Sequence, residues 1–204
     1  MGCFELSREN LRIFATRHKE IAVQPFKLAI NLFVANDLFD LVNGSCMTLG
    51  SQAGTPLTVA LYLADDQQGA LHREETSLSL PADPSLRAQA VLRAVIARYT
   101  QKDSTHPLPA GADVNDVYIV NGTAVVDLND ALASGHRSGV MVEELTVLSL
   151  VQTLAANLPG ITQVKILVNG QERDTLAGHA DLADFYDVAA VNRAVGQMGG
   201  TSSP

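Results

Sequence analysis

The chain has 204 residues, 47% of them apolar and 5% aromatic with no tryptophan, and a formal net charge of −8. That length predicts one domain of roughly 150 residues plus an extension, with a core of Val, Leu, Ile and Ala. Residues 1–55 are balanced at five basic and five acidic side chains, so residues 56–204, with nine and seventeen, carry the whole excess. An acidic domain without a basic stripe argues against nucleic acid or an anionic lipid surface as partner.

In chain order, residues 5–21 (ELSRENLRIFATRHKEI) predict a short helix capped by Ser7. The apolar run 26–35 (PFKLAINLFV) is too short to cross a bilayer. As a signal peptide it is interrupted by Asn31 and closed by acids. Cys3 and Cys46 both lie in this extension, which leaves the globular part without a disulfide framework or zinc site. Cys46 stands where a lipoprotein cysteine would, yet it follows Asn43-Gly44-Ser45 and not the small apolar residues such a site expects. The organisation read from this is an extension over 1–55 (a degenerate anchor or an upstream addition), a domain over 56–190, and a flexible tail over 191–204.

Beyond the small-residue linker 50–56, Leu57, Val59, Leu61 and Leu63 alternate with Thr58, Ala60, Tyr62 and Ala64, the pattern of a strand with one buried face. Asp65–Gly69 turns it, and 72–80 reads as its return partner. Asp83-Pro84 starts a helix, with Asp as N-cap and Pro at the first helical position. Ala88, Leu92, Val95, Ile96 and Tyr99 share one face of it, and Arg87, Gln89 and Arg93 stay wet. After the polar loop 101–113, Asn121-Gly122 sits between two Val- and Ile-rich runs, the pair that a two-residue type I′ hairpin requires. A long helix follows from Val140 to Pro159-Gly160. Thr146, Ser149, Thr153 and Asn157 make one narrow polar stripe on it, and leucines and valines fill most of the rest, so the helix is mostly buried. Strand 163–168 leads to a second Asn-Gly, at 169–170, and a return to Leu176. This order is not the alternation of a doubly wound sheet. It predicts an α+β two-layer sandwich, a mixed or antiparallel sheet with both main helices on one face.

Several separated blocks carry a resemblance. The runs LYLAD, AVLRAVIA, LPAGADVNDVYIVNGTAVVDL, VQTLAANLPGITQVKILVNGQ and GHADL resemble the GerMN domain, the sporulation and spore germination domain, over residues 57 to about 190. The resemblance implies a non-enzymatic module of bacterial envelope proteins, often lipoproteins, with a core over 84–168 similar to the ring-building motif of export and sporulation machines. It implies an extracytoplasmic location; the unconvincing signal segment leaves the cytoplasm as the alternative. The partners it implies are envelope proteins or further copies of the chain, with membrane contact only through an N-terminal anchor. The Gly-Pro usual after the family's first helix is replaced here by Tyr99-Thr100-Gln101.

Chemistry is sparse by comparison. Nucleophilic catalysis needs a Ser or Cys within reach of a His, and no Gly-x-Ser-x-Gly elbow occurs. His106, His136 and His179 fall on predicted loops and make the one loop cluster from which a small-ligand or hydrolytic site could be assembled. His179-Ala180-Asp181, after Gly178, is the nearest thing to a metal or acid–base pair, and its plainer reading is a capped turn. Glu143-Glu144 are read as first-turn acids favoured by the helix dipole. Asp127 lies in a strand on the face opposite Val126 and Leu128, solvated if the helices cover the Val126 face. No glycine-rich phosphate loop is present, so no nucleotide and no other cofactor is expected. The candidate binding residues are Asp127, Gly178, His179 and Asp181, with no catalytic or metal-binding residue assigned.

Overall fold

The computed structural model describes residues 55–199. The expectations for the extension, Cys46 included, and for the last residues of the chain lie outside this range. The α+β class stands. Strand β1 (Thr55–Asp65) pairs antiparallel with β2 (Ala70–Leu80). Helix α1 (Pro84–Tyr99) follows, then β3 (Val114–Val120) and β4 (Thr123–Leu128). The short helix α2 (Asp130–Ser134) and the long α3 (Val140–Asn157) lead to β5 (Gln163–Val168), the two-residue β6 (Tyr186–Asp187) and α4 (Val188–Gly199).

The sheet divides in two. β1 and β2 stand as their own pair, and the four-stranded sheet has the order β3-β4-β5-β6. Within it β4 and β5 run parallel, Thr123 opposite Gln163 through Leu128 opposite Val168, joined by the crossover through α2 and α3. The reason for the division lies on α3. The outer edge of β1 meets the polar stripe of that helix, whose side chains take the backbone groups a third strand would otherwise have paired.

Both Asn-Gly turns have the backbone their sequence requires. Asn121 and Gly122 have φ of 49° and 80°, and Asn169 and Gly170 have 50° and 71°. Gly122 also admits the loop after α3: its carbonyl accepts the N–H of Thr162 at 2.7 Å, and a Cβ there would lie 3.0 Å from the Gly160 carbonyl oxygen.

One apolar cluster joins the elements. Val59 and Leu61 of β1, Leu92 and Val95 of α1, Leu148 and Leu154 of α3, and Val126, Val164 and Ile166 of the sheet all belong to it. The helices thus cover the Val126 face, as the alternation predicts. The expected return strand to Leu176 does not form. Past the single bridge between Val168 and Gln171, residues 171–185 run irregularly, with one further bridge from Thr175 to Asp181. This segment holds Lys165, buried in β5 on the other face, whose ammonium donates to the carbonyls of Leu182, at 2.8 Å, and Ala183. The predicted boundary at 190 falls inside α4, which continues into the expected tail as far as Gly199 with Val191 buried. Among the described residues, no helix is long and apolar enough to cross a membrane.

Candidate functional site

The polar groups of the domain gather along one face of α3. Starting at its C-terminal end, Asn157 accepts the Ala60 N–H at 2.9 Å and donates to the Ala60 carbonyl at 2.7 Å. Thr153 accepts the Tyr62 N–H at 3.0 Å, and Ser149 donates to the Tyr62 carbonyl at 2.6 Å. The buried Tyr99 hydroxyl lies 2.6 Å from Ser149 and accepts the Ala64 N–H at 2.7 Å. Burial, opposed only partly by the Ser149 and Ala64 bonds, pushes the Tyr99 phenol up to about 12. Thr105 of the loop after α1 donates to the Ala64 carbonyl at 2.8 Å. The unpaired edge of β1 at residues 60, 62 and 64 is satisfied by side chains, which explains why a mostly apolar helix carries a polar row.

One turn further toward the N-terminus the same row changes partners. Thr146, fully buried, meets two histidine rings: His106 Nε2 at 2.6 Å and His136 Nε2 at 2.7 Å from its hydroxyl. His106 Nδ1 lies 2.5 Å from Asp66 of the β1–β2 turn, and the other carboxylate oxygen of Asp66 is paired with Arg137. His136 Nδ1–H donates to the Arg137 carbonyl at 2.7 Å. Burial pushes both imidazoles below the ordinary histidine value of 6.5. Asp66 opposes this at His106, and the Arg137 carbonyl with the Glu143 charge opposes it at His136.

Glu143 ends the row. Its carboxylate, fully buried, accepts the N–H groups of Gly139, Ala177, His179 and Ala180 at 2.8–3.1 Å and lies 2.9 Å from His179 Nδ1. Burial alone would raise this carboxyl. The His179 side-chain bond and the backbone donors outweigh it and hold the group at about 2. Glu143 is thus more than a first-turn acid: it clasps the 177–180 segment to the start of α3.

Of the candidate residues, His179 is therefore in a network, with its side chain 41% exposed and Ser138 Oγ 3.3 Å from the same Nδ1. Gly178 supplies the turn before it, at φ 122°. Asp181 accepts the Ala183 N–H at 2.8 Å. Asp127 belongs elsewhere: on the opposite face of the sheet it accepts the Gly170 N–H at 2.7 Å and an Asn115 amide proton at 3.2 Å, tying down the second Asn-Gly turn. Its expected solvation gives way to these bonds. The three loop histidines do not form one ligand set, since His106 and His136 share Thr146 and His179 goes to Glu143. Among the described residues no group of three or more His, Cys, Asp or Glu is arranged to hold a metal ion. Asp66 and Thr146 are members to which sequence reasoning gave no site role; the stripe through Thr146 was the available signal, and the partners of Asp66 lie 40 and 71 positions away in sequence.

Two arrangements invite a catalytic reading. Asp66, His106 and Thr146 follow one another in the order carboxylate, imidazole, hydroxyl, but both His106 and Thr146 have 0% exposure, so no substrate reaches the hydroxyl. Ser138 and His179 are accessible and Glu143 lies buried behind them, yet serine and glutamate lie against the same ring nitrogen, whereas a relay needs them on opposite nitrogens.

Residues 60–174 match the family model Germane, described as sporulation and spore germination. Among solved structures, the tandem GerMN domains of the sporulation protein GerM from Bacillus subtilis share the fold, with a TM-score of 0.51 at 22% identity over 65% of this chain and 46% of that one. This chain thus spans about half the length of the tandem protein. A candidate lipoprotein from Clostridium perfringens has a TM-score of 0.46 at 21% identity, over 69% of this chain and 93% of its own. The first GerMN domain of GerM alone gives 0.43 at 21%, over 63% and 94%. No curated protein matches the sequence.

Proposed function

This chain belongs to the Germane family of sporulation and spore germination, and from that premise we propose that it is a non-catalytic scaffold module that binds cell-envelope proteins or further copies of itself. The observation that carries the reading is the use of the polar row on α3. Glu143, Thr146, Ser149, Thr153 and Asn157 are each bonded to a strand edge, a loop or a neighbouring ring inside the domain. Groups committed in this way hold a shape and have no free valence for a substrate. The acidic balance of residues 56–204 favours a basic protein surface as the partner. An extracytoplasmic position, with membrane contact only through the N-terminal extension, belongs to the same proposal.

The exposed edge of His179 favours a second reading, a small-ligand or hydrolytic site formed by Ser138, His179 and Asp181. One set of measurements separates the two. Analytical ultracentrifugation of the full chain, alone and with solubilised envelope proteins, is expected to show defined association, and a hydrolase panel with metal analysis is expected to be blank. Stoichiometric metal lost in His179→Ala, or a turnover abolished by Ser138→Ala or Asp181→Asn, would establish the enzyme class instead.

A further inference from the structure

The histidine pair carries a proton-count argument. Four short contacts run in line: Asp66 to His106 at 2.5 Å, His106 to Thr146 at 2.6 Å, Thr146 to His136 at 2.7 Å, and His136 to the Arg137 carbonyl at 2.7 Å. Each needs one hydrogen between its atoms. The ends of the line, a carboxylate and a carbonyl, only accept when Asp66 is ionised. Two neutral rings and one hydroxyl then supply three hydrogens for four contacts. Both Nδ1 hydrogens are taken by the ends, so two bare Nε2 atoms would face a hydroxyl with one hydrogen. One further proton completes the line, whether it is assigned to a ring or shared with Asp66. The Thr146 bond to the Val142 carbonyl, at 3.1 Å, competes for the same hydroxyl hydrogen and deepens the deficit.

The surroundings set how many protons enter. Asp66, from the β1–β2 turn, favours charge on His106; Glu143, on α3, favours it on His136. Arg137, in the loop before α3, opposes both, and the ring centroids are only 6.1 Å apart, so a second charge is opposed by the first. Tyr99 of α1 packs edge-on against His106 at 4.7 Å and keeps water out on that side. Asp65 is occupied by the amides of Gln67 and Gln68.

We propose that His106, Thr146 and His136 form one proton-binding site that takes a single proton for the two rings. Three segments meet there, the β1–β2 turn, the loop 101–113 and the loop 135–139, and they respond to that proton together. Interacting sites of this kind titrate as a pair.

The test uses the full chain uniformly labelled with 15N, following the histidine ring nitrogens and the backbone amides by NMR from pH 8 to pH 5. In the parent, His106 and His136 are expected to change in one common step amounting to one proton, with the Asp66 and Arg137 amides moving at the same midpoint. Thr146→Ser keeps the hydroxyl and the common step. Thr146→Val removes it, and the two rings then titrate separately. Separate full titrations of the two rings in the parent or in Thr146→Ser would overturn the proposal, as would no change in either ring across the range. Should Thr146→Val fail to fold, the parent and the serine variant decide the matter alone.

Discussion

The two halves of the polar row on α3 look alike in the sequence and do different work. Ser149, Thr153 and Asn157 bond the backbone of one strand, groups that do not titrate. Thr146 and Glu143 bond histidine rings and loop backbone, so their half of the helix is tied to protonation. The lesson is that one stripe can replace a missing strand at one end and fasten loops at the other. It also predicts that only the N-terminal half is sensitive to acid.

The largest effect is expected at Glu143. Glu143→Ala leaves the buried Ala180 N–H and the partly buried N–H groups of Gly139, Ala177 and His179 without their acceptor and should destabilise the domain by on the order of 4 kcal/mol at neutral pH, read by denaturant unfolding. A change under 1 kcal/mol would mean that the 177–180 segment is held by something else. Leu154→Ala sets the scale for ordinary core packing; fully buried, it should lose about 3 kcal/mol, equally at pH 7 and pH 5. The smallest effect belongs to the strand-edge half. Asn157→Ala removes both bonds to Ala60 and should lose about 1–2 kcal/mol, with the Ala60 amide exchanging faster in hydrogen-exchange experiments and no added pH dependence. An Asn157→Ala loss that grows with acid would erase the distinction between the halves.

Much of this was legible beforehand, for physical reasons that differ by element. The turns at 121–122 and 169–170 are local: positive φ at both positions selects Asn-Gly, and the structure has it. The buried face of α1 follows from period alone, and Leu92, Val95 and Ile96 lie where the pattern puts them. The GerMN resemblance rests on ordered blocks and agrees with the family match over 60–174. What failed was non-local. The stripe on α3 was visible as a row, but its partner, the edge of β1 some 90 positions away in sequence, was not, so the first hairpin was merged into a single sheet. Nothing in the sequence marks Lys165; only the fold of 171–185 over it makes it a buried clasp. Glu143 read as a dipole-favoured acid because its acceptor role depends on a segment beginning 34 residues later.

Stability against pH tests the central claim most directly, measured on the parent and on Glu143→Gln. Both imidazoles are held below 6.5 in the fold, so the unfolded chain binds more protons, and stability should begin to fall as pH drops below about 6.5 in both proteins. Glu143 is held at about 2 against an ordinary 4.5, so its contribution is complete above 4.5 and is lost as pH falls toward 2. The parent should therefore lead Glu143→Gln at pH 7 and lose that lead between pH 4.5 and pH 2. A lead that stays constant over that window, or that widens as pH falls, would contradict the account of Glu143 as a charged clasp at the head of the row.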